Sequence, residues 1–309
     1  MKDIIFKSIK IWREKVLGLP SQVVLEPTNR CNLNCPYCMV GMQNSLVSQY
    51  GTASHSFMTR PQGMMDEETF QIVFRNLKEF GIRKVYLHFQ GEPFLNPLTP
   101  RFAKILKKNG FEVGIFTNGL AFTDEVIKEI ANANIDLIRF SVDGASQETY
   151  GKNRVGGVFD KVYENMRKVV LAHRDRRTRI EWQFLVLRNN EHEVEKARQM
   201  AKEIGIHFFT KGFRETDPML KPLNEKYHAK FLKKPCKDIY HQIGIYWNGD
   251  VVPCCYDVDG KEIMGNLKES SLKEIWSNDR YVEFRKRVDE ALINPEREPL
   301  ICKSCLRWK

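Results

Sequence analysis

Nowhere in the chain do eighteen apolar residues run together, so its hydropathy excludes a membrane-spanning helix. An export signal is lacking too: Met1 to Pro20 (MKDIIFKSIKIWREKVLGLP) is interrupted by Lys, Arg and Glu and offers no continuous apolar stretch. Residues 1–20 read instead as a helical N-terminal extension, with Ile5, Ile9, Ile11 and Trp12 forming an apolar stripe that docks on the main fold. Repeats and low-complexity stretches are absent, which excludes solenoids and long biased tails. Between Cys38 and Cys236 there is no cysteine. The eight Cys form a triplet near the start and a group of five near the end. Without an export signal, that distribution favours metal ligation over disulfides, and a cytoplasmic location.

What is present suits a globular enzyme. The 309 residues are 42% apolar, enough to bury a full core. The net charge of +10 comes from Lys and Arg spread among Asp and Glu, a solvated basic surface rather than a stripe for nucleic acid. From residue 21 to 212, short β-branched runs alternate with helical patterns. The strand candidates are Val23 to Glu26, Lys84 to Phe89, Glu112 to Thr117, Leu137 to Ser141, Arg179 to Leu187 and His207 to Lys211. Helices separate them; the one after Asp66 carries Phe70, Val73, Leu77 and Phe80 at helical spacing. Six such units with right-handed crossovers predict an α/β fold, a partial (β/α)6 barrel with its site at the strand C-termini. Asn44 to Gly63 reads as a long polar loop, either a substrate lid or a surface insertion. Residues 213–309 form a small α+β C-terminal domain, with a hairpin from Ile243 to Pro253 turning type I′ at Asn248-Gly249 and a capping box at Ser271 and Glu274.

The chemistry lies in the cysteines. Cys31-Asn-Leu-Asn-Cys35-Pro-Tyr-Cys38 places three thiolates within eight residues after the first strand. Thiolates are the usual ligands of iron-sulfur clusters, and three of them leave one iron of a cubane open to chelate a small molecule. A zinc site or buried free thiols is the other reading, although zinc knuckles favour paired C-x2-C. The motif resembles C-x3-C-x-aromatic-C, the signature of the radical S-adenosylmethionine (SAM) superfamily, with Tyr37 as the aromatic residue.

The resemblance extends along the chain. Gln90-Gly91-Glu92-Pro93 is similar to the family's GGE motif, in which backbone and the Glu carboxylate hold the cofactor's ammonium; Gln90 replaces the first Gly. Asn118 in Thr117-Asn118-Gly119, Ser141 and Asp143 in Ser141-Val-Asp143-Gly144, and Arg154 in KNRVGG fall in the family's order. The resemblance assigns Ser, Asp and Arg to the ribose and the carboxylate, as hydroxyl, carboxylate and guanidinium chemistry favours. Tyr37 and Leu187 are candidates for adenine contact. Taken singly, these residues also fit turn chemistry, surface charge or barrel core.

Cys236-x12-Gly249-x4-Cys254 resembles the opening of a SPASM domain, and Cys302-Lys-Ser-Cys305 closes the set. Four Cys make one complete auxiliary cluster in the shortened, twitch-type form, so the resemblance implies two 4Fe-4S clusters and S-adenosylmethionine as cofactors. A four-Cys zinc site is the competing reading. Cys255 is left over: a buried thiol, an alternative ligand or a hydrogen-atom donor.

These features imply a radical SAM oxidoreductase. An electron donor such as flavodoxin or ferredoxin reduces the first cluster, and a 5′-deoxyadenosyl radical abstracts a substrate hydrogen. A complete auxiliary cluster suits electron acceptance, hence dehydrogenation of a small polar molecule such as a sugar or aminocyclitol. Peptide modification by epimerisation, crosslinking or residue oxidation is the second enzyme reading, and a zinc or iron-sulfur RNA-binding module is the reading outside enzymes. By strand parity, Glu26, His88 and Gln183 are candidates for substrate contact; core hydrogen bonding explains them equally.

Overall fold

The computed structural model describes residues 18–50, 58–175, 177–213, 219–229, 236, 238–291, 295–303 and 305. The N-terminal stripe and part of the 44–63 segment lie outside them. In chain order the strands are β1 (Gln22–Leu25), β2 (Lys84–Leu87), β3 (Glu112–Thr117), β4 (Leu137–Ser141), β5 (Arg179–Val186), β6 (His207–Gly212), β7 (Gln242–Ile245), β8 (Asp250–Val252) and β9 (Gly265–Asn266). The main helices are α1 (Met39–Tyr50), α2 (Glu67–Phe80), α3 (Thr99–Lys108), α4 (Asp124–Ala133), α5 (Gln147–Asn153), α6 (Phe159–His173), α7 (Val194–Glu203), α8 (Leu272–Ser277) and α9 (Asp279–Glu290). The six predicted strands are present; the first, second and fifth stop short of Glu26, Phe89 and Leu187.

These elements group into two compact units that do not follow chain order. The first comprises the described residues of Met1–Pro27, Gly63–Phe89 and Phe231–Lys309. In it β2 and β7 flank β1 in parallel, Val24 standing opposite both Tyr86 and Gly244, and β8 and β9 continue antiparallel from β7. Asp66 caps α2 by accepting the Thr69 amide at 2.7 Å, and the helix buries Phe70, Val73 and Leu77. Such a cap contributes about 1 kcal/mol. The predicted capping box at Ser271 and Glu274 is formed, and the Leu272 amide donates to Asn76 Oδ1 at 2.8 Å, tying α8 to α2.

The β7–β8 turn departs from the type I′ expectation. Gly249 alone takes a positive φ, 92°, while its amide returns to the Tyr246 carbonyl at 3.0 Å. A type I turn with a glycine bulge satisfies the strand twist with one left-handed residue rather than two.

The second unit comprises the described residues of Thr28–Gln62 and Gln90–Lys230, with parallel strands in the order β6-β5-β4-β3. One face of this sheet is fully buried, carrying Ile138, Phe140, Trp182, Phe184 and Val186, with Trp182 against Tyr163 of α6. The other carries Phe116, Arg139, Ser141, Gln183 and Phe209, all partly exposed. Residues 44–50, expected in a loop, are instead the end of α1. Their polar side chains bind locally: Asn44 Nδ2 donates to the carbonyls of Cys31 and Leu33, and Ser45 Oγ to that of Gly41. Polar composition here serves the helix and the preceding loop rather than solvent.

Candidate active site

All three N-terminal thiols and the strand-end residues predicted to face them lie in the second unit. Cys31, Cys35 and Cys38 occupy the loop that leads into α1. The Cys38 amide donates to the Cys35 carbonyl, and the Met42 amide to that of Cys38, so the last thiol is fixed by the first turn of the helix. Burial, then the negative charge of Glu92 and of Cys35 and Cys38, pushes the Cys31 thiol up to about 12. Burial likewise raises Cys35. Thiols held protonated in this way, at Cys31 and Cys35, are ones a cationic cluster would hold as thiolates, displacing their protons. Among the described residues no three His, Cys, Asp or Glu side chains converge on a single-ion site.

Gly91 has φ 77°, and a Cβ there would collide with the Arg30 carbonyl oxygen. Only glycine lets this turn lie against the cysteine loop, where the Glu92 amide donates to Arg30 O at 2.8 Å. Glu92 is 1% exposed and its carboxylate accepts from Thr117 Oγ1, from the Asn118 amide, both at 2.7 Å, and from the Phe94 amide at 3.3 Å. Burial outweighs these donors and raises it to about 7. Asn118 in turn donates to Asn32 Oδ1 at 2.8 Å and approaches Cys31 Sγ at 3.9 Å. Gln90 is partly exposed at the head of the turn.

Asp143 is fully buried and forms the second hub. Its Oδ2 accepts from Tyr37 at 2.6 Å and from Arg154 Nε at 2.7 Å, and its Oδ1 from the Leu185 amide at 2.7 Å. Arg154 Nη1 reaches Cys35 Sγ at 3.9 Å. Sequence reasoning assigned Asp143 and Arg154 to a ligand; in this structure they satisfy each other, as a buried charge pair must. Leu187 is fully buried, its amide held by Asn190 Oδ1 at 2.7 Å.

Asn190, missed by sequence reasoning, also donates to the Asp143 and Leu185 carbonyls. Thr117 was quoted only as the end of its strand. The sole signals were an Asn-Asn pair and a Thr-Asn-Gly run after strands, which ordinary turns also use.

On the partly exposed sheet face, Ser141 stands opposite Gln183, and Gln183 opposite Phe209. Neither the Ser141 hydroxyl nor the Gln183 carboxamide makes a hydrogen bond among the described residues. One row below, Arg139 is neutralised by Glu181 at 2.7 Å and stacked on Phe116 and Phe209. The other two parity candidates belong to the first unit. Glu26 is fully buried with its carboxylate near the Trp247 amide, and His88 is partly exposed beside Tyr86.

The C-terminal thiols all lie in the first unit. Cys254, Cys302 and Cys305 are buried, and Cys236 and Cys255 partly so. Burial, then Cys305 and Cys236, pushes Cys302 up to about 12. A hydrogen bond with Cys255 and burial raise Cys254, with Cys236 adding to the effect. Cys305 and Cys236 therefore act on Cys302, and Cys255 and Cys236 on Cys254, which links Cys236, Cys254, Cys302 and Cys305, drawn from three segments. Cys255 Sγ also receives Gln242 Nε2 at 3.4 Å.

The sequence profile of the radical SAM superfamily matches residues 25–180. The chain belongs to that superfamily. A second profile, the SPASM iron-sulfur cluster-binding domain, matches residues 236–306. The chain is similar to a tungsten-containing aldehyde ferredoxin oxidoreductase cofactor-modifying protein of Pyrococcus furiosus, 25% identical over 84% of this chain and 82% of the relative. It is also similar to the S-adenosyl-L-methionine-dependent 2-deoxy-scyllo-inosamine dehydrogenase of Niallia circulans, 23% identical over 92% of each. Among solved structures it resembles Streptococcus suis SuiB, with 14% identity, a TM-score of 0.67 and coverage of 92% and 72% for the form bound to S-adenosylmethionine. For the form bound to the precursor peptide SuiA the values are 15%, 0.57, 99% and 74%.

The fold is thus the parallel-stranded α/β partial barrel of radical SAM enzymes with a small C-terminal domain. Its cofactors are S-adenosylmethionine and 4Fe-4S clusters, one of the radical SAM domain and the auxiliary kind of the SPASM domain. No helix among the described residues is long and apolar enough to cross a membrane.

Proposed function

We propose that this radical SAM enzyme dehydrogenates a small polar substrate, such as a sugar or aminocyclitol, with an auxiliary 4Fe-4S cluster accepting an electron from the substrate radical. The observation that carries this reading is the set of Cys236, Cys254, Cys302 and Cys305 in one compact unit, three of the four buried. Four thiolates complete a cubane and leave no iron open, so the cluster serves electron transfer better than substrate chelation.

The first cluster is held by Cys31, Cys35 and Cys38. The cluster and S-adenosylmethionine together supply, when bound, a radical able to take a hydrogen atom from a C–H bond. The chain's own residues position and enclose. Glu92 keeps one carboxylate oxygen with spare accepting capacity for an ammonium, beside Gln90 and Gly91. Asn118, Ser141, Asp143 and Arg154 serve the ribose and carboxylate, and Tyr37 and Leu187 bound the adenine side.

Gln183, unpartnered among the described residues and next to Ser141, offers a donor and an acceptor to substrate hydroxyls, over a floor where Arg139 is paired with Glu181. The likeness to a cyclitol dehydrogenase supports the same substrate class. Flavodoxin or ferredoxin is the proposed reductant, and the cytoplasm the proposed location.

The test is anaerobic reconstitution followed by turnover with ring-deuterated aminocyclitols and hexoses. Deuterium in 5′-deoxyadenosine and a ketone product are expected. Deuterium arriving only from a peptide would overturn the substrate class in favour of peptide modification, the reading supported by likeness to a protein solved with a precursor peptide.

A further inference from the structure

On the partly exposed face of the second unit's sheet, one row of side chains crosses four strands: Phe116 of β3, Arg139 of β4, Glu181 of β5 and His207 of β6. Glu181 is fully buried, whereas the Arg139 side chain is 23% exposed. A buried carboxylate stays ionised only where cations meet it, and here they do. Arg139 Nε donates to its Oε2 at 2.7 Å, Arg179 pairs with its Oε1, and His207 Nδ1 stands 3.9 Å from Oε1. The carboxylate that neutralises Arg139 is thus shared with a second guanidinium, and two cations against one anion leave the group positive.

Arg139 is also fixed in place. Its guanidinium lies 4.2 Å over the Phe116 ring and 5.1 Å over that of Phe209, from strands on either side of β4. Two ring faces and the Nε bond set the plane and the direction of the fork. Glu181 is its sole hydrogen-bond partner among the described residues, so most of its N–H donors are unspent. A long cationic side chain, immobilised with donors to spare, has already met the entropy cost of holding a ligand.

Gln183 stands two residues further along β5 on the same face, about 7 Å nearer the strand C-termini. Its carboxamide makes no hydrogen bond among the described residues. Ser141 ends β4 beside it, at the level proposed for the cofactor. A substrate that meets Gln183 with a hydroxyl therefore extends its far end down to Arg139.

We propose that the substrate carries a carboxylate and that Arg139 receives it, anchoring the molecule below Gln183. This rests on the proposed small polar substrate of this face. The leftover charge selects the ligand. A carboxylate balances one positive charge and matches the planar fork. A phosphate monoester brings about −1.5 to −2 and overfills the site, and an amine meets a cation. Of the substrates proposed above, sugar acids are selected over aminocyclitols.

The test is calorimetric titration of the reconstituted enzyme, with S-adenosylmethionine bound, using glucuronate, glucose, glucosamine and glucose 6-phosphate as probes. Glucuronate should bind at least about tenfold more tightly than each of the others. In Arg139→Gln that preference over glucose should vanish. Arg139→Lys keeps a charge beside Glu181 but not the fork, so part of the preference should remain. Arg139→Gln combined with Glu181→Gln repeats the loss in a protein without the buried charge to compensate.

Equal affinity for glucuronate and glucose in the parent overturns the proposal and leaves the small-substrate reading standing. So does a preference that survives Arg139→Gln, or tighter binding of glucose 6-phosphate or glucosamine. Absence of binding by all four overturns it as well; deuterium reaching 5′-deoxyadenosine only from a peptide then shows that the substrate reading has failed with it.

Discussion

The two cysteine regions reach similar chemistry by opposite constructions. Cys31, Cys35 and Cys38 sit on one short loop, and groups that follow strands surround it: Glu92 with Asn118, and Asp143, which holds Arg154 and the loop's own Tyr37. Cys236, Cys254, Cys302 and Cys305 come from three segments of the first unit, Cys254 from just beyond β8. A contiguous motif lends itself to an open, ligand-taking site because three thiolates exhaust the loop. A dispersed set can complete a cluster, and a complete cluster is fitted to moving electrons.

That contrast predicts different failures. Cys38→Ala should remove about four irons per chain and abolish 5′-deoxyadenosine formation, while the auxiliary cluster keeps its signal. Iron analysis and chromatography measure both, and retained cofactor cleavage would break the comparison outright. Cys302→Ala should also remove about four irons, but 5′-deoxyadenosine should still form while oxidised product falls at least about tenfold. Equal loss of both products would mean that the regions are not separable in function.

The smallest effect concerns Glu92, the titrating carboxylate behind the first site. Its folded value, about 7, lies above its ordinary 4.5, so it contributes stability fully present below 4.5 that is lost as pH rises through 7. The gap is worth on the order of 3 kcal/mol. In urea unfolding of the cluster-free chain, Glu92→Gln should gain on its parent between pH 5 and 8, when the parent ionises a buried group. Parallel stability curves would show that the carboxylate is not held in that state.

Legibility in the sequence followed the same division. Each predicted strand of the barrel was found because its β-branched run was bounded by turn residues, and α2 because Asp66 and its apolar stripe agree. The triplet was legible as chemistry because its spacing is local. The α1 segment was not, since Asn44 and Ser45 look solvated until their carbonyl partners are known. Asn190 stayed hidden for a related reason: its partners lie on β5 and after β4, and no local pattern encodes a long-range carbonyl.

The parallel pairing of β7 with β1 carries a consequence for biosynthesis. As the chain leaves the ribosome, β3 to β6 can pair with one another in order, because each strand's partner follows it closely. The sheet built on β1 must wait, since one of its flanking strands arrives only after residue 241. Domains of a nascent chain tend to fold as units, the early ones first. Here β1, made first of the nine described strands, is among the last to be enclosed.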